Sequence, residues 1–62
     1  MNDYFSVIQL LKRFGIYVYM GDKKSDIEMM QTEVKDLFDS GLIPQDVYLQ
    51  AVLLLRKELS SI

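Results

Sequence analysis

Residues 14–30 read FGIYVYMGDKKSDIEMM, and the fold turns on how the first half of that stretch behaves. Ile16-Tyr17-Val18-Tyr19-Met20 lies between Gly15 and Gly21 and has the β-branched and aromatic content of a strand. On an extended backbone successive side chains point to opposite sides, so Ile16, Val18 and Met20 share one face and Tyr17 and Tyr19 the other. The chain holds no second strand-like run to pair with it. Two arrangements satisfy the pattern. Either the run straps across helices, aliphatic face inward and tyrosines outward, or it pairs with the same run of a second copy.

The flanks are helical. Tyr4, Val7, Ile8, Leu11 and Phe14 recur at helical spacing and predict an amphipathic helix over residues 3–14. Asp3 suits its N-cap, Lys12 and Arg13 its C-terminal dipole, and Gly15 its left-handed stop. Downstream, Ser25-Asp26-Ile27-Glu28 has the S-x-x-E form of a capping box and predicts the start of a second helix. Ile27, Met30, Val34, Leu37 and Phe38 are its expected buried stripe, Glu28, Gln31, Lys35 and Asp39 its solvated side, and Ser40-Gly41 its end. Pro44 fits the first turn of a third helix, where Asp46 also favours the dipole. From Val47 to Leu55 only Gln50 is polar, which predicts the central, most buried helix. The short link before it makes the second and third helices antiparallel neighbours.

The expected fold is therefore all-α: residues 1–62 form a single three-helix bundle with an extended, tyrosine-containing connector between helices 1 and 2. Extended, residues 15–21 reach roughly 20 Å at ~3.3 Å per residue. The first helix is ~18 Å long at ~1.5 Å per residue. The connector is thus long enough to run back along helix 1 and start helix 2 near where helix 1 began.

Composition bounds the function. The chain has no cysteine, which excludes a disulfide, and no histidine, which argues against a structural zinc site. A nucleophile is missing too, since the serines have no basic partner that spacing identifies, so no enzyme and no small-molecule substrate are expected. Five residues separate Gly15 from Gly21 where a phosphate loop allows four, and Asp22 stands where its lysine belongs. Asp22, Asp26 and Glu28 lack the alternate spacing of a calcium loop and are explained by capping and dipole effects, so no metal and no cofactor are expected. The N-terminus lacks a signal peptide's basic region, and the apolar run stops at Arg56-Lys57, short of the ~18 residues of a membrane span. Cytoplasmic residence follows as the expectation.

The formal charge of −2 is uneven. Lys12, Arg13, Lys23 and Lys24 against Asp22 give residues 12–24 a net +3. Residues 25–46 carry −5, with Lys35 the only cation. Aromatic side chains bracketed by cations on an extended segment are what sequence-tolerant single-strand binders use. The candidate nucleic-acid-binding residues are therefore Tyr17, Tyr19, Lys12, Arg13, Lys23 and Lys24. An overall pI near 4.8 weighs on the other side. The plainer role for the tyrosines is core cover with the hydroxyl at the surface. The rival functional class is a homodimer or protein-interaction module using the strap or the Met29 side of helix 2.

The pattern Tyr17-x-Tyr19-x-Gly21-Asp22, joined to Asp26-Ile27-Glu28-Met29-Met30 and Glu33-x-Lys35-x-Leu37, resembles the YqgQ-like family. Tyr48-Leu49-Gln50-Ala51 and Leu55-Arg56-x-Glu58 extend the resemblance over nearly the whole chain. That family comprises small, uncharacterised cytoplasmic proteins of Gram-positive bacteria. The resemblance implies a compact three-helix fold without catalytic activity or cofactor, and a suggested role in binding single-stranded DNA or RNA. It carries over no defined binding residues.

Overall fold

A computed structural model describes all 62 residues. Three helices follow one another: α1 (Tyr4–Arg13), α2 (Lys23–Asp39) and α3 (Gln45–Ser60). None is long and apolar enough to cross a membrane.

Local chemistry sets each boundary. Asp3 caps α1, its carboxylate accepting from the Ser6 N–H at 2.9 Å and the Ser6 hydroxyl at 3.0 Å. At the other end Gly15 takes φ +75°. The Gly15 N–H donates to the Lys12 carbonyl and the Ile16 N–H to the Leu11 carbonyl, which is a Schellman closure. Gly41 closes α2 in the same way, with Leu42 donating back to Leu37.

The start of α2 differs from expectation. Ser25 is not its cap and Glu28 closes no box on it. The cap is Asp22, which accepts from the Ser25 N–H at 2.8 Å and from the Ser25 hydroxyl at 3.0 Å. Asp is as good an N-cap as Ser, and starting the helix at Lys23 leaves the Asp26 carboxylate free for another partner. Pro44 likewise sits at the N-cap of α3 rather than inside its first turn.

The three helices enclose a core that includes Val7 and Leu11 of α1, Ile27 and Val34 of α2, and Ala51 and Leu55 of α3. Ile43, in the link between α2 and α3, is buried with them. Phe38 is half-buried rather than sealed in the stripe. Its ring stacks on Tyr48 with centroids 4.4 Å apart and planes 7° from parallel, closing the turn end of the α2–α3 hairpin. At the opposite end Lys23 of α2 pairs with Glu58 of α3, so the two helices are antiparallel. Lys23 also lies 5.3 Å from the centroid of Tyr4, at the beginning of α1. Hence α1 and α2 begin together and run parallel, and the connector returns the chain along the bundle as its length allows.

α3 packs against both other helices but is not buried all round. Leu49 and Leu53 are 49% and 64% exposed on its outer side. Three short helices each bury only the wedge facing the other two, and this chain has no fourth element to cover the rest.

Candidate functional site

The connector follows the strap arrangement. Ile16 and Val18 pack against the core, while Tyr17 and Tyr19 are 74% and 86% exposed. Met20 departs from the alternation and is exposed. The reason lies in how the strap ends: the Met20 N–H donates to Asp26 Oδ1 at 2.6 Å, so the backbone rather than the side chain is drawn towards α2. At its start the strap is tied by the Ile16–Leu11 hydrogen bond. Both ends of a five-residue segment without helix or strand hydrogen bonding are thus fixed.

The cations of the candidate set divide. Lys12 and Tyr17 line the same groove, of about 230 Å³, between α1, the strap and α2. Lys24 is exposed in the first turn of α2. Arg13 lines a different groove, of about 520 Å³, between α1 and the first half of α3, where its neighbours include Phe5, Gln9 and Val47. Lys23 is already engaged. Its hydrogen bond to Glu58, above all, holds the ammonium pKa above the ordinary lysine value, with Glu58 and Tyr4 charges adding to it against desolvation. Tyr4, below Lys23, has its phenol pushed up by burial and, second, by the Asp26 charge.

Three participants escape sequence reasoning. Asp26 pins the strap, Tyr4 holds the Lys23 ammonium over its ring, and Glu58 takes that ammonium as an ion-pair partner. Nothing local marks Glu58, which lies 35 residues from Lys23. Asp26 was visible as a first-turn acid, yet its service to Met20 depends on where the helix begins.

The YqgQ-like family model matches residues 1–61. The chain belongs to the YqgQ-like family. A relative from Bacillus subtilis (strain 168), Uncharacterized protein YqgQ, is 44% identical over 59 residues, covering 95% of this chain and 83% of its own length. In this YqgQ-like chain the tyrosines of the Y-x-Y-x-G-D segment are surface groups, while the D-I-E-M-M segment supplies the strap's anchor in Asp26 and core residues in Ile27 and Met30.

Proposed function

We propose that this chain binds single-stranded nucleic acid, without catalysis, on the outer side of the strap. The observation that carries the reading is the exposure of two phenol rings, 74% and 86%, on a backbone fixed at both ends. A protein that needs tyrosine only as core cover buries the ring and leaves the hydroxyl wet. Here the rings themselves face water, ready to stack on bases. Lys12, which lines the groove beside Tyr17, is the first phosphate contact, and the exposed Lys24 of α2 is a second candidate. Arg13 lines a different groove, and Lys23 contributes only by leaving Glu58. Residence in the cytoplasm fits this role.

The expected affinity is modest, because the cations are few and the acidic remainder repels a polyanion. With about two or three phosphate contacts, the log–log salt slope is about −1.4 to −2, at ~0.7 per contact for single strands. Fluorescence anisotropy of a labelled mixed-sequence oligonucleotide reads this directly. Binding that weakens with salt at that slope supports the reading, and no binding at low salt overturns it.

Self-association is the second reading, and the exposed Leu49–Leu53 pair on α3 favours it. Those two residues, four apart on one helix, offer a better surface for it than the strap, whose Val18 packs on the core, or the Met29 side of α2, where Met29 is half-buried. Concentration-dependent mass in sedimentation, abolished by Leu53→Glu, is its signature.

A further inference from the structure

The groove beside Tyr17 holds a feature that stacking alone does not use. Tyr17 and Val18 form its strap side, Ile8 and Leu11 belong to its α1 side, and Lys12 also lines it. Asp26 is the single carboxylate in the lining. Its Oδ1 is taken by the Met20 N–H at 2.6 Å, while no protein donor reaches Oδ2. The carboxylate is therefore held in place by one oxygen, and its other oxygen has no protein partner, in a groove whose wall is mostly apolar. Its neighbours in the groove include the Tyr4 and Tyr17 rings, of which the exposed Tyr17 can stack on a base, and Lys12, whose ammonium can meet a phosphate.

An acceptor fixed beside a stacking surface discriminates base edges. Cytosine carries an amino group at C4, whose N–H donates to a carboxylate. Thymine and uracil carry a carbonyl oxygen at the same position, and a carboxylate facing it sets acceptor against acceptor. We infer that the groove takes one unpaired base and prefers cytosine to thymine or uracil, with Asp26 Oδ2 accepting from the exocyclic amine. The volume of about 230 Å³ suits one ring rather than a stack of bases. The inference rests on the single-strand reading above and adds to it the base that the site selects and the residue that selects it.

The test compares labelled oligo(dC) and oligo(dT) of equal length at low salt and slightly alkaline pH, by anisotropy, with wild-type chain and Asp26→Asn. Asparagine keeps a carbonyl oxygen for the Met20 N–H but replaces the free acceptor with an amide donor. Wild type is expected to bind oligo(dC) about fivefold or more tightly than oligo(dT), the lower end of what one base-edge pairing discriminates. Asp26→Asn is expected to lose or invert that preference, since its amide N–H₂ faces the thymine O4. Equal binding of the two oligonucleotides by wild type overturns the inference while leaving single-strand binding intact. A cytosine preference that Asp26→Asn leaves unchanged overturns it as well. Failure of wild type to bind either removes the single-strand reading and this inference with it.

Discussion

Tyr17 and Tyr19 are large apolar groups that the fold leaves in water, and their replacement separates function from stability. Truncating an exposed side chain away from caps and core usually moves stability by no more than ~0.5 kcal/mol. Base stacking is worth ~1–3 kcal/mol per base. Tyr17→Ala and Tyr19→Ala are therefore each expected to weaken oligonucleotide binding by about fivefold or more, with the thermal midpoint nearly unmoved. Circular dichroism and anisotropy on the same samples check both halves. Asp22 makes a different prediction, about pH. The Ser25 backbone and side-chain hydrogen bonds, the largest influences on it, hold its carboxyl below the ordinary value of 3.8. A carboxyl whose folded pKa is depressed contributes stability that is complete above the unfolded value and lost as pH falls through the folded one. Its share therefore disappears below about pH 3.8. Asparagine caps equally well but does not titrate. Asp22→Asn should match wild type near neutrality and lose less stability on acidification, as urea midpoints across that range will show.

The helices report how far their boundaries depend on single residues. Gly15 sits at φ +75° with open space where a Cβ would project, so alanine there meets only backbone strain. That strain costs ~1–2 kcal/mol, and Gly15→Ala should lower the urea midpoint while leaving helical dichroism intact. Leu55 is fully buried. Leu→Ala in a core costs ~2–5 kcal/mol, against the ~3–5 kcal/mol that a domain of this size holds, so Leu55→Ala should be largely unfolded at room temperature. Much of this was legible in the chain. The spacing of Tyr4, Val7, Ile8 and Leu11, the glycine stops and the Ile27–Leu37 stripe all report local preferences that tertiary packing leaves in force. Phe14, expected on the same face of helix 1, instead lies past the helix end and is exposed, and Leu10, outside that spacing, is buried. The misplaced start of α2 shows the limit: Asp22 and Ser25 are both good caps, and sequence alone does not rank them when both lie ahead of the same apolar stripe. The exposure of Leu49 and Leu53 was hidden for another reason. An all-round apolar helix signals burial only if enough other chain exists to surround it. Met20 and Lys23 escaped because their partners, the Asp26 carboxylate and Glu58, were assigned by the folded arrangement and not by spacing.

In the assembled bundle, the parallel course of α1 and α2 gives the strap its place. Because those helices begin together, the connector must cross the bundle, and crossing it lays the aliphatic side chains on the core and turns the phenols outward. The same topology brings Lys23, Tyr4 and Glu58 together at one end and takes one cation out of the strap's surroundings. What is left is a small exposed aromatic surface on an acidic molecule, with Lys12 lining the groove beside it, and on the proposed reading its contact with a single strand is weak and salt-sensitive. The outer side of α3 offers a separate apolar surface, and the two are distinguishable residue by residue. An amide-resolved NMR titration of the chain with a short mixed-sequence single strand at low salt puts the matter to the test. The account predicts shifts concentrated at Ile16–Met20, Lys12 and Lys24, reversed by added salt. A spectrum unmoved at those amides, or one that moves only along Leu49–Leu53, contradicts it.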